Sequence, residues 1–241
     1  MKLEGKNAIF EALNSNLSLQ KILILNTNKD EFTKSIIDLA RSKNIAVNFV
    51  SKQVLDSESE TGHHQGFIGL ASDFKYSEVS DILNKANSLE EDLFVVILDG
   101  VEDPHNLGSI IRTCECAGVH GIIIPKNNAC PVNETVVRSS AGSISHILIA
   151  RVTNINNVIK DLKADGIFVY GMEAEGELIY KANLKGKIAL VVGSEGFGIG
   201  TLTKNLCDQI VSLPMEGKTN SLNASVATAL GVYEALRQRK F

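Results

Sequence analysis

The sequence predicts an α/β protein of two units, a small one at the N-terminus and a larger one after it. Three observations carry this. Apolar runs of strand length alternate with segments of helical periodicity from Lys21 to the C-terminus. The second set of strands opens with "LFVVILDG" (93–100), apolar without alternation, as in a parallel sheet covered on both faces. Between the two sets lies a stretch rich in Ser, Asp, Glu, Asn and Lys, which reads as a linker with one weak helix, "SEVSDILNKANSL". The predicted boundaries are 1–74 for the first unit, 75–92 for the linker and 93–241 for the second unit.

In the first unit, residues 3–14 ("LEGKNAIFEALN") read as a short helix with Ile9, Phe10 and Leu13 inward. "KILILN" (21–26) is a buried strand. "DEFTKSIIDLARSKN" (30–44) carries Phe32, Ile36, Ile37, Leu39 and Ala40 on a helical stripe. "AVNFVS" (46–51) and "GFIGLAS" (66–72) are two more strands. In the second unit the strands are 93–100, 121–125, 147–152, 167–173, 188–196 and 209–215. Helices fall at 106–118, 133–142, 155–166, 198–207 and 221–239. Gly166 is a C-cap. The last helix reads with Leu222, Val226, Ala229, Leu230, Tyr233 and Leu236 as its inward face.

Composition narrows the function. The chain has 241 residues, 44% hydrophobic and 22% charged, an ordinary globular balance. No apolar run is long enough to span a bilayer, and "MKLEGKNAIFEALNSN" lacks the apolar centre of a signal peptide, so a cytoplasmic protein without a membrane partner is expected. Cys114, Cys116, Cys130 and Cys207 form no C-x-x-C pair and no zinc cluster. Reduced structural thiols and no metal are expected. The net charge of −4 weighs against nucleic acid as a partner, but a local basic patch acts whatever the total.

In open α/β sheets ligands bind beyond the carboxyl ends of the strands. Three segments of the second unit sit there: 98–113, 191–200 and 213–225. Gly217-Lys218-Thr219 suggests a phosphate loop, but the glycine such a loop needs at 212 is Ser212. Gly196-Phe197-Gly198 suggests a dinucleotide fingerprint, but its third glycine falls at Thr201. What remains is glycine-rich backbone that a ligand can approach closely. Each polar residue nearby has an ordinary reading. Arg112 could be a surface arginine paired to a neighbouring carboxylate, Glu195 a solvated loop carboxylate, Ser221 an N-cap, and Asn220 and Asn223 its neighbours. Together with Asn106 they converge on one sheet edge, the form of a small-molecule and phosphate site.

"DPHNLGSIIRTCECAG", "VVGSEGFGI" and "LPMEGKTNSLNASVATALGVYEALRQR" resemble, in order and position, the three signature motifs of the SpoU or TrmH family of S-adenosylmethionine-dependent RNA ribose 2'-O-methyltransferases. This resemblance covers 93–241. "GKNAIFEALN", "KILILN" and "GHHQGFIGLAS" resemble the ribosomal protein L30e-like RNA-binding domain of one branch, which includes the bacterial methyltransferase of a 23S ribosomal RNA guanosine.

The resemblance implies an α/β-knot (SPOUT) methyltransferase domain with a C-terminal trefoil knot, preceded by a small L30e-like α/β domain. It also implies a homodimer whose active sites lie close to the partner subunit. S-adenosylmethionine would lie in the knot against Gly193, Gly196, Gly198, Leu213, Met215 and Leu222. Arg112 would clamp RNA phosphate and stabilise charge at the nucleophile, since an arginine rarely gives up a proton. Asn106 would orient Arg112 or the ribose, Glu195 would hold Arg112, and Ser221 and Asn223 would contact substrate or brace the knot loop. Lys6, Asn7, His64 and Lys218 are candidates for RNA contact, with His63, Gln65, Thr219 and Asn220 beside them. His146 receives no catalytic role. A tRNA methyltransferase, a non-catalytic RNA-binding protein on the same fold and a small-molecule methyltransferase are the alternatives.

Overall fold

A computed structural model describes residues 1–14, 17, 19–71, 74–219 and 221–241. Asn220, and Ser72 at the end of the third predicted strand, lie outside the described residues. The elements run β1 (Lys2–Glu4), α1 (Lys6–Leu13), β2 (Leu19–Leu25), α2 (Glu31–Ser42), β3 (Ala46–Val50), α3 (Lys52–Glu58), β4 (Phe67–Ala71), α4 (Val79–Ser88), β5 (Phe94–Asp99) and α5 (Pro104–Cys116). They continue with β6 (Gly121–Pro125), α6 (Glu134–Ser139), β7 (Leu148–Val152), α7 (Ile155–Ala164), β8 (Phe168–Leu178), β9 (Ile188–Gly193), α8 (Thr201–Leu206), β10 (Gln209–Ser212) and α9 (Ala224–Lys240).

The first compact unit is Met1–Lys75 together with Val132–Ser145. Its sheet has the order β1-β4-β2-β3, with β1 and β2 antiparallel to β4 and β2 parallel to β3. The expected helix over 3–14 starts later. Residues 2–4 are an edge strand, and Gly5, at φ 95°, turns the chain into α1 while its N–H bonds Phe67 O at 3.1 Å. Ile9 and Leu13 are buried as read, and Phe10 is only partly so. The helix α3 carries a single buried residue, Leu55, too weak a period to read. The segment 132–145 joins this unit through α6, where Glu134 Oε1 accepts the Glu4 N–H at 3.3 Å.

One feature of this unit is a buried carboxylate. Glu4 accepts from Ser59 Oγ at 2.7 Å, from the N–H of Glu60, and from the N–H and hydroxyl of Thr61. Burial pushes its pKa up, but the Thr61 and Ser59 hydroxyls and the two backbone donors outweigh that and hold it down at about 2.

The second unit is Tyr76–Pro131 with His146–Phe241. Its six strands lie in the order β10-β8-β9-β5-β6-β7, all parallel. Every β5 and β6 position except the last of each is buried, which accounts for their uninterrupted apolar composition. From β5 the chain steps outward to β6 and β7, then crosses to β8, β9 and β10 on the other side. The gap between β5 and β9 is therefore a topological switch point. Register places Asp99 beside Gly193 there.

Two expectations need correction in this unit. The stretch taken as linker holds α4, whose Ile82 and Ala86 are buried in the same core as Ile97, Ile123 and Val191. Ile82 fills space that Gly121 leaves open, since a Cβ on Gly121 would sit 2.5 Å from its Cδ1. The last helix begins at Ala224 and turns a different face inward. Ala224, Thr228, Gly231, Val232 and Ala235 are buried, while Val226, Leu230 and Tyr233 are exposed. A Cβ on Gly231 would lie 2.5 Å from Met172 Sδ, so small residues let α9 approach the sheet closely. Among the described residues no helix is long and apolar enough to cross a membrane.

Candidate active site

The carboxyl ends of β5 and β9 lead into two loops that build the site. The loop after β9 is a tight hairpin. The N–H of Ser194 bonds Gly198 O at 3.1 Å, and that of Gly198 bonds Ser194 O at 3.0 Å. Gly196 and Gly198 take φ of 90° and 65°, a conformation suited to glycine. Two carboxylates from neighbouring strands brace its far end. Glu173 Oε1 accepts the Ile199 N–H at 2.6 Å, and Asp99 Oδ2 accepts that of Gly200 at 2.9 Å. Neither was singled out from sequence. Asp99 is the last residue of β5, and Glu173 follows the last β8 residue paired with β9, so both stand where the central strands open towards a ligand.

Beside the hairpin lies a cavity of about 580 Å³ lined by Gly193, Gly196, Gly198, Leu213, Met215, Ser221 and Leu222, with Met172, Val192 and Ala227. All six residues expected around a cofactor thus share one wall set. The volume is in the range of sites for a nucleoside-sized ligand. Apolar side chains and backbone supply most of the wall, which fits an uncharged adenosine better than a phosphate. A second cavity, of about 450 Å³, is lined by Gly100, Val101, Glu102, Asp103, Asn106 and Asn128. Ser194, Glu195, Phe197 and Ala224 line both.

At the shared wall three expected catalytic residues meet. Glu195 Oε1 accepts from Asn106 Nδ2 at 3.1 Å, from Asn223 Nδ2 and from the Ala224 N–H at 3.3 Å. Asn223 Nδ2 also reaches Asn106 Oδ1 at 2.9 Å. Each asparagine stands at a helix start. Asp103 caps α5, accepting from the N–H of His105 at 2.7 Å and of Asn106 at 2.9 Å. Asn223 caps α9, accepting from the N–H of Ser225 at 2.9 Å and of Val226 at 3.3 Å. Two helix N-termini therefore aim partial positive charge at the Glu195 carboxylate. The N-cap expected at Ser221 is Asn223 instead, and Ser221 is an exposed residue of the cavity rim.

The other expected residues fall elsewhere. Glu195 does not hold Arg112: its bonds go to Asn106, Asn223 and Ala224. Arg112 is exposed on α5, two turns from the cluster, and lines neither cavity. Lys218 is exposed and also lines neither. In the first unit Lys6 and Asn7 are exposed at the start of α1, with Lys6 Nζ 5.5 Å from the centre of the Phe32 ring. His64 is buried, not presented to a ligand. Its Nε2 lies 2.9 Å from Asp56 Oδ1 and its Nδ1 accepts the Gly66 N–H at 3.0 Å, so both ring nitrogens are occupied within the unit. His63 beside it is exposed.

Comparison with known proteins gives the family and the fold. Residues 93–233 match the SpoU rRNA Methylase family, and residues 2–77 match the family described as RNA 2'-O ribose methyltransferase substrate binding. Over 237 residues the chain is 42% identical to the protein provisionally named TrmH family tRNA/rRNA methyltransferase YacO of Bacillus subtilis (strain 168), covering 98% of this chain and 94% of that protein. The crystal structure of the SpoU methyltransferase AviRb from Streptomyces viridochromogenes, in complex with AdoMet, superposes with a TM-score of 0.84 over 99% of this chain and 89% of that one, at 24% identity. An rRNA methyltransferase from Sinorhizobium meliloti superposes with a TM-score of 0.79 over 98% and 86%, at 25% identity.

Proposed function

We propose that this chain, which belongs to the SpoU rRNA methylase family of RNA methyltransferases, transfers a methyl group from S-adenosylmethionine to a ribose 2'-hydroxyl in structured RNA, and that the acceptor is a guanosine of 23S ribosomal RNA. The observation that carries the reading is the shared wall. A cavity of cofactor size and a second cavity meet at a carboxylate–amide cluster, on the switch point of a parallel sheet. The names of the closely related sequences join tRNA and rRNA, so a tRNA acceptor is the second reading.

Gly193, Gly196, Gly198, Leu213, Met215 and Leu222 would hold the cofactor. When bound, it supplies an electrophilic methyl on a sulfonium sulfur, so the acceptor hydroxyl needs orientation and loss of its proton. Glu195, fixed by three donors, holds Asn106 and Asn223 in one arrangement at the point where that hydroxyl would arrive. Arg112 lies outside its own protomer's cluster, and in a homodimer it would serve the active site of the second copy, clamping RNA phosphate. The exposed apolar stripe Val226, Leu230 and Tyr233 on α9 is the face such a dimer would bury. A trefoil knot formed by the C-terminal segment, an L30e-like first unit that presents RNA through Lys6 and Asn7, and a cytoplasmic location complete the reading.

The test is methyl transfer from labelled S-adenosylmethionine to ribosomal RNA and to tRNA, both taken from cells lacking this gene, with primer-extension arrest to map the position. Label should enter ribosomal RNA, and Arg112→Ala should abolish that transfer without loss of cofactor binding. Cofactor binding with no transfer to either RNA refutes the reaction.

A further inference from the structure

Phe197 is 95% exposed, although it sits in a loop braced by backbone pairs and two carboxylates. Gly196 and Gly198 flank it at positive φ, the Ser194–Gly198 pair closes the hairpin beneath it, and Glu173 and Asp99 anchor the chain just beyond. The ring is thus held out into solvent by a rigid support, in a chain with 5% aromatic residues and no tryptophan. It borders both cavities, and among the described residues no other aromatic ring lines the second.

The side chains of that second cavity are distinctive. Glu102, Asp103 and Glu195 contribute carboxylates and Asn106 and Asn128 contribute amides, while no lysine or arginine among the described residues lines it. Such a wall repels phosphate and accepts hydrogen bonds from a neutral group. At about 450 Å³ it has room for a nucleoside. A flat neutral ligand with hydrogen-bond donors on its edge, lying against an exposed aromatic ring, is a nucleobase turned out of its stack.

We propose that the second cavity receives the target nucleoside of the RNA, its base stacked on the Phe197 ring and its ribose at the Asn106–Glu195–Asn223 cluster. This rests on the methyl-transfer reading above and extends it, since it assigns the acceptor's place and makes Phe197 a substrate-binding residue. The hairpin then serves both partners at once. Phe197 stands on the wall the two cavities share.

The experiment compares wild type with Phe197→Leu, which keeps bulk but removes the π face, and Phe197→Trp, which restores one. S-adenosylhomocysteine affinity is measured by calorimetry. Retention of gene-deficient ribosomal RNA on filters is measured with S-adenosylhomocysteine present, at a salt concentration that suppresses non-specific binding. The KM for RNA in methyl transfer is measured alongside. Phe197→Leu should weaken RNA binding and raise KM between about 5- and 150-fold, the range that loss of one stacked base gives. Its S-adenosylhomocysteine affinity should stay at wild type, and Phe197→Trp should bind RNA within about two-fold of wild type. Unchanged RNA binding in Phe197→Leu overturns the proposal. So does a matching loss of S-adenosylhomocysteine affinity, which would make the ring a cover for the cofactor. A wild-type chain that transfers no methyl, yet loses RNA affinity on Phe197→Leu, refutes the reaction and leaves the cavity assignment standing.

Discussion

Replacing Gly193 by alanine tests the geometry on which the site depends. Gly193 is not among the residues at positive φ, so alanine is excluded by space and not by conformation. Its Cβ would lie 2.0 Å from Gly198 C and 2.3 Å from both Gly198 O and Ile199 N, where ordinary contacts are about 3.5–4.0 Å. All three atoms are backbone and none can swing aside. Gly193 cannot retreat either, since it is paired to Asp99 in the middle of the sheet. The hairpin must move outward by well over an ångström, and it would lose the two Ser194–Gly198 bonds and the Ile199 N–H bond to Glu173. At about 1 kcal/mol net for each neutral bond and about 2 for the one to a carboxylate, the cost is about 4 kcal/mol. In a protein of this size that lowers Tm by roughly 10 °C. Scanning calorimetry reads the shift, and titration with S-adenosylhomocysteine should show affinity down by at least about ten-fold, as a displaced cavity wall demands. A Gly193→Ala protein with wild-type Tm and wild-type affinity would refute the reasoning.

Two further outcomes are expected. Glu4, held at about 2 against an unfolded value of 4.5, contributes stability that is complete above pH 4.5 and is lost as pH falls towards 2. The urea-unfolding free energies of wild type and Glu4→Gln should therefore differ at pH 6 and converge by about 3 kcal/mol on going to pH 2; a difference that does not change with pH contradicts the assignment. Leu230→Glu, at an exposed position, should leave the protomer's Tm within a few degrees of wild type and shift sedimentation from dimer to monomer. A dimer that persists rules out the α9 stripe as its interface.

How much was legible from sequence depended on the kind of signal. The strands of the second unit declared themselves because burial on both faces leaves no polar position. The three candidate segments, which line the two adjoining cavities, were singled out because strand ends in a parallel sheet are where ligands go. The inward face of α9 was misread because large apolar residues were taken as buried. Here the helix comes so close to its neighbours that most of the residues beneath it are small, Ala224, Thr228, Gly231, Val232 and Ala235 among them. Strand β1 is three residues long and exists through its pairing with β4, some 65 residues away, which no local period reports. His64 looked like a loop residue, because its partner Asp56 lies on a helix whose single buried residue left no pattern. The bracing roles of Glu173 and Asp99 were invisible for a related reason: each acts on a backbone N–H distant in sequence, where the hairpin runs into α8.

The first unit is made from two pieces of chain, Met1–Lys75 and Val132–Ser145, with β5, α5 and β6 between them. Synthesis runs from the N-terminus, so this unit cannot close until Ser145 has left the ribosome. By then β5 and β6 of the other sheet have already emerged, and the β5 edge that β9 will pair with must wait for it. The two units therefore mature in overlapping periods and not one after the other. A gene cut near residue 75 or 92 would divide a folding unit, leaving the N-terminal fragment without α6 and the Glu134 contact to Glu4.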